Sequence, residues 1–372
     1  MSSNKRRFLK KFDFVLFFTV IILSLYGILI ISSAAKSSPA GIDTHSYVKT
    51  QAVSTALGVL IILFLMKMNY EVLGKLYLFI YVACNLLLLS VFLFGTGTEE
   101  WGARSWIRVG PIGFQPAEVA KIGVIICIAK FIEQNQSKIN ELFTLGKILL
   151  FSFVPIALIL KQPDFGTAMV YVFFIGVMIF VAGLDLRYIL YAALAGILSL
   201  PFVWLSLGEY QRDRLFNFLD PSRDSMDSGY QALQSKIAVG SGKIFGMGLY
   251  NGSQTQFGFL PEKQTDFIFA VVGEELGLIG ALFLLILYFI MMYRLVDIAR
   301  HSRDTFGTLI VTGIFSMMFI HIFQNIGMTM GLTPITGIPL PFMSYGGTFQ
   351  LTNLIAIGLA LNVSIKRDGL SF

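Results

Sequence analysis

Five short stretches of this sequence carry side chains able to exchange protons or bind an anion. The densest runs Leu260-Pro261-Glu262-Lys263-Gln264-Thr265-Asp266-Phe267-Ile268-Phe269-Ala270 and continues to Gly273-Glu274-Glu275-Leu276-Gly277. Three carboxylates within ten residues, Asp266, Glu274 and Glu275, exceed what capping one helix requires. If the helix begins at Asp266, Glu274 lies about 80° round and roughly 12 Å deeper, with Glu275 pointing away. Ala270, Gly273 and Gly277 then form a stripe of small residues suited to close helix packing.

A second stretch is Gly102-Ala103-Arg104-Ser105-Trp106-Ile107-Arg108, leading to Gln115-Pro116-Ala117-Glu118 and Lys121. Tryptophan beside arginine suits a lipid headgroup layer, where guanidinium binds phosphate bidentately. Glu118 and Lys121 are three residues apart, so they share a helix face and can neutralise each other. The segment is therefore either a ligand site or an anchored loop with a structural ion pair. In Lys161-Gln162-Pro163-Asp164-Phe165-Gly166-Thr167 the proline ends one helix, and Asp164 is placed to cap the next. Capping alone would account for that aspartate.

The fourth stretch lies within residues 208–265, a connection far longer than usual. Its Arg212 and Arg214 are candidate ligands for an anionic headgroup, against the alternative of a solvated loop. Gly240-Ser241-Gly242-Lys243 lacks the earlier glycine and the hydroxyl residue of a phosphate-binding loop, so that reading is rejected. The fifth is Asn325 followed by Leu332–Gly347, where three prolines and repeated glycines exclude regular helix. So apolar a segment suits a re-entrant element lining a cavity better than a tight exposed turn. His45, His301 and His321 have no metal-ligand spacing, and Cys84 and Cys127 both fall in apolar runs.

The elements that must position these groups are membrane helices. Of 372 residues 55% are hydrophobic and 13% charged, with mean hydropathy +0.74, about half the charge of a soluble domain. The fold class is all-α: a polytopic integral membrane protein forming one domain over residues 1–372. A span needs roughly 20 apolar residues, which gives about ten: 12–33, 51–67, 74–94, 117–133, 146–161, 165–183, 187–207, 266–293, 305–329 and 347–365. With the N-terminus inside, inner segments hold sixteen lysines and arginines and short outer ones six, so both termini are expected in the cytoplasm. All five polar stretches then fall on the outer side, and 208–265 is a long extracytoplasmic loop. The net charge of +6 is spread over many short loops, which fits membrane lipids and not nucleic acid.

In this order and spacing, the stretches resemble the SEDS family of bacterial envelope proteins (shape, elongation, division and sporulation). The resemblance rests on Gly102–Trp106, Gln115–Lys121, Gln162–Thr167, Tyr230–Gly248, Leu260–Gly277 and Gly337–Gly347, and covers nearly the whole chain. Gln162–Thr167 and Phe257–Pro261 are closer to the elongation form, RodA. Gly102–Trp106 is closer to the division and sporulation forms, FtsW and SpoVE.

The resemblance implies a peptidoglycan glycosyltransferase polymerising lipid II into glycan strands at the outer face of the bacterial cytoplasmic membrane, for elongation and shape. It makes Asp266 the catalytic residue and attaches importance to Arg104, Glu118, Lys121, Asp164 and Glu274. Joining a sugar hydroxyl to an anomeric carbon needs one base, and the departing diphosphate needs cations. On that logic Asp266 is the base, while Arg104, Lys121 and Arg212 are candidate holders of the diphosphate. No cofactor is certain, though a divalent cation, Mg or Mn, is compatible. The implied partners are lipid II, the undecaprenyl-diphosphate-linked glycan and a class B penicillin-binding protein. Two rival readings are a lipid II flippase and a scaffold for a separate transpeptidase. A flippase would need polar groups on the inner half as well, and there the chain carries little beyond ordinary charged loops.

Overall fold

The computed structural model describes residues 11–36, 44–96, 105–109, 112–206, 208–220 and 228–366. Its helices are α1 (Phe14–Lys36), α2 (Thr44–Leu65), α3 (Tyr70–Lys75), α4 (Tyr77–Phe94), α5 (Pro116–Asn135), α6 (Leu142–Leu160) and α7 (Phe165–Val181). They continue with α8 (Leu186–Ser206), α9 (Glu209–Leu219), α10 (Ser228–Ser241), α11 (Ser253–Gln256), α12 (Ile268–Arg300), α13 (Thr305–Met330) and α14 (Gly347–Lys366). Helix is the required form here, because in hydrocarbon each backbone group must find its partner within the protein.

Each of the ten expected spans coincides with a helix. Seven of these, α1, α2, α4, α6, α12, α13 and α14, are long and apolar enough to cross a bilayer. The other three are α5, which carries Glu118, Lys121, Lys130 and Glu133, and the shorter apolar runs of α7 and α8. Helices α5, α13 and α14 are buried along most of their length and form the centre of the bundle. Between α4 and α5 the chain makes a small antiparallel sheet, β1 (Gly95–Thr96), β2 (Trp106–Val109) and β3 (Ile112–Phe114), which was not anticipated.

Two expectations need correction. Helix α12 starts at Ile268 and not at Asp266, and it is not continuous: Gly277 has φ 64° and ψ −160°, a region open essentially to glycine alone. The break deprives the Glu274 and Glu275 carbonyls of their helical N–H donors, and the Leu278 and Ile279 N–H groups of their carbonyl acceptors. A passing run of chain replaces them: the Met247 and Gly248 N–H groups donate to the Glu274 and Glu275 carbonyls (3.0 and 2.9 Å), and those of Leu278 and Ile279 to the Lys243 and Ile244 carbonyls (2.9 and 3.2 Å). The small-residue stripe therefore does not run along one straight helix. Residues 208–265 are also more than a loop, since they hold α9, α10 and α11 and seal the break in α12.

Candidate active site

The irregular segment between α13 and α14 poses an accounting problem that α13 solves. Its prolines lack N–H groups, so carbonyls around them have no regular backbone partner. Three side chains of α13 supply donors: Gln324 Nε2 to the Pro334 carbonyl (3.1 Å), Asn325 Nδ2 to that of Ile338 (2.8 Å) and His321 Nδ1 to that of Pro339 (3.1 Å). Positions 321, 324 and 325 share one helix face. The segment is further pinned by Ser344, whose hydroxyl accepts from the Leu340 N–H at 2.8 Å.

That segment in turn fixes the turn before α12. Three successive carbonyls are taken: Gln264 by the Tyr345 N–H (2.8 Å), Thr265 by the Ser344 hydroxyl (2.5 Å) and Asp266 by Asn325 Nδ2 (2.8 Å). Asp266 is half-buried at the end of this turn, with its carboxylate beside Gly337.

Glu118 and Lys121 join the same network from α5. Their ion pair measures 2.7 Å and both side chains are buried. Lys121 Nζ also lies 2.9 Å from His321 Nε2. Because the Pro339 carbonyl can only accept, Nδ1 carries the imidazole proton, and Nε2 accepts from the ammonium. Lys121 is thus engaged on two sides.

Asp164 caps α7, accepting from the Thr167 N–H at 3.0 Å, and also accepts from Gln115 Nε2 at 2.7 Å, just ahead of α5. Beside it, Gly166 packs against Ile338 and the Thr336 carbonyl. Asp266 therefore lies against the irregular segment directly, Lys121 with its partner Glu118 is linked to it through His321, and Asp164 stands two residues from Gly166, which packs on it.

Glu274 and Arg212 are engaged elsewhere. Glu274, fully buried, accepts from Gln254 N–H (2.6 Å), Thr255 N–H (2.9 Å), Thr255 Oγ1 (2.6 Å) and Ser253 Oγ (3.3 Å), so it holds α11 in place. Glu275 serves the same region rather than pointing elsewhere, accepting from Ser33 Oγ at 2.6 Å and Gln256 Nε2 at 3.0 Å. Close by, buried Lys263 donates to the Thr255 carbonyl at 2.8 Å, and burial pushes its pKa down. Arg212 donates to the Trp204 and Leu205 carbonyls (3.2 and 3.1 Å) at the end of α8. Arg104 lies outside the described residues. Among the described residues no three His, Cys, Asp or Glu side chains come together as a metal-ligand set.

Comparison with known proteins fits this arrangement. The model of the FtsW/RodA/SpoVE family, described as cell cycle proteins, matches residues 13–369. The chain belongs to that family. It is 35% identical to the peptidoglycan glycosyltransferase MrdB of Escherichia coli K12, covering 100% of this chain and 98% of that one. It is 38% identical to stage V sporulation protein E of Bacillus subtilis, covering 95% and 96%. Among solved structures, a chain of a peptidoglycan synthase complex studied for its coordination of polymerization and crosslinking superposes with a TM-score of 0.81 at 30% identity, covering 96% of this chain and 99% of that one. The rod shape determining protein RodA of Thermus thermophilus superposes with a TM-score of 0.71 at 28% identity, covering 96% and 98%.

Sequence reading passes over His321 and Gln324. The available signal is polar residues at i, i+3 and i+4 inside an apolar span, a costly pattern that marks internal partners.

Proposed function

We propose the following reading of the site. The chain is a peptidoglycan glycosyltransferase, a multi-pass bacterial membrane enzyme that polymerises lipid II into glycan for cell-wall elongation and shape. The Asp266 carboxylate takes the proton of an acceptor sugar hydroxyl as that oxygen attacks the anomeric carbon of the donor. The bond from that carbon to the lipid diphosphate breaks, and the diphosphate leaves as an anion without needing a general acid. The observation that carries this assignment is the half-buried Asp266 at the end of a turn whose three carbonyls are each hydrogen-bonded in place.

Cations must neutralise the leaving diphosphate. Lys121 is already bonded to Glu118 and His321, and Arg212 to the Trp204 and Leu205 carbonyls, so of the expected cations Arg104 is the candidate holder of the diphosphate. The bias of lysine and arginine towards alternate loops supports a site on the outer face. Similarity to a chain from a peptidoglycan synthase complex supports a class B penicillin-binding protein as the partner that cross-links the new glycan.

The test is polymerisation of lipid II by purified protein, with Asp266→Ala and Asp266→Asn compared at equal folding and equal partner binding. Both variants should make no glycan. Undiminished synthesis by either one removes Asp266 as the base, and a wild type that moves lipid II between leaflets without polymerising it would establish the transport reading.

A further inference from the structure

We infer that Asn325 is a positioning residue for Asp266, an inference that rests on Asp266 being the base. Its side-chain amide has two N–H groups, and both are used on backbone carbonyls at 2.8 Å, one of Asp266 and one of Ile338. These carbonyls belong to different pieces of chain. One ends the turn before α12, and the other precedes the proline pair of the irregular segment. Asn325 therefore rivets the carboxylate-bearing turn to the segment that faces it.

The placement is specific for three reasons. Asn325 is completely buried, so water cannot take over either bond. Its own residue on α13 is held by regular helix, which makes it a rigid anchor. One turn earlier on the same helix, His321 binds the neighbouring Pro339 carbonyl, so Ile338 and Pro339 are fixed as a pair. Gly337, next in line, lies against the Asp266 carboxylate. Losing the Asn325 amide frees the Asp266 main chain from the wall beside its own side chain. A general base works only within hydrogen-bond reach of the proton it takes, so such looseness should act on the chemical step and not on substrate capture.

The test uses the full-length protein in detergent or vesicles, with lipid II as substrate and Asp266→Asn as the reference. Asn325→Ala should lower kcat about 10- to 100-fold, the scale of a small misplacement of a reacting group, with KM for lipid II within about twofold of wild type. Asn325→Gln keeps the donors but adds a methylene in a packed site, and should lower kcat while the protein stays folded at the assay temperature, at a modest cost in melting temperature. A folded variant of either kind with wild-type kcat overturns the proposal, as does a loss appearing in KM alone. If neither variant folds, Asn325 is structural and the proposal likewise falls. Should Asp266→Asn retain polymerisation, the base assignment fails by itself, a result distinct from any outcome at Asn325.

Discussion

Gly337 closes one side of the Asp266 carboxylate: a Cβ added at Gly337 would stand 3.3 Å from Asp266 Oδ2. With φ of +68°, Gly337 also occupies the left-handed region that disfavours other residues. A methyl group there must push on the carboxylate or shift the backbone that carries it. Gly337→Ala is expected to reduce lipid II polymerisation about tenfold, at a stability cost of about 1 kcal/mol. Glycan length and rate, measured with the melting temperature, check this. Full activity in a folded Gly337→Ala protein would show that the carboxylate does not depend on this wall.

Lys121 is expected to be structural, because its ammonium is bonded to both Glu118 and His321 and is buried. Lys121→Met should destabilise the protein by about 3 kcal/mol, since Glu118 would be left as an unpaired buried charge. Replacing both partners by neutral groups, Glu118→Gln with Lys121→Met, should recover much of that stability and a measurable part of polymerisation. If the double variant is stable and wholly inactive, Lys121 instead acts on the diphosphate.

The spans were legible because hydrocarbon admits few solutions: long apolar runs become helices at the positions their hydropathy marks. Asp164 was equally legible, as an aspartate after a helix-ending proline is a local signal and the cap it forms is local. The failures are long-range. The backbone of Gly277 breaks α12 only because residues 243–248, some thirty positions earlier, supply the replacement hydrogen bonds. Glu274 reads as a site carboxylate from its depth along a straight helix, yet after folding its neighbours are the N–H groups of Gln254 and Thr255. His321 is marked in the sequence only by Gln324 and Asn325 on the same helix face, and it gains its role from Lys121 on α5 and Pro339 beyond α13.

Glu274 gathers four donors from Ser253, Gln254 and Thr255, so its loss should be felt along the preceding segment. Glu274→Ala would leave two backbone N–H groups and two hydroxyls of that region without this acceptor. A stability loss of about 3 kcal/mol is expected, together with faster proteolysis between Gly240 and Glu262. Wild-type protection of this stretch would mean that the backbone pairing of Met247 and Gly248 holds it without the carboxylate.

Lys263 provides a pH-dependent check on the same region. Burial pushes its pKa below the usual lysine value in the folded protein, despite the attraction of Glu274 and Glu275. Its unfolded value is about 10.4. Between the folded and unfolded values the unfolded chain binds more protons, so stability contributed by this residue rises with pH across that window. Below the folded value Lys263 is charged in both states, and the cost of burying that charge is fully present. The difference in melting temperature between wild type and Lys263→Met should therefore shift in favour of wild type as pH climbs towards 10. A difference that stays flat with pH, or moves the other way, would show that the ammonium is fully compensated by its buried partners, including the Thr255 carbonyl 2.8 Å away.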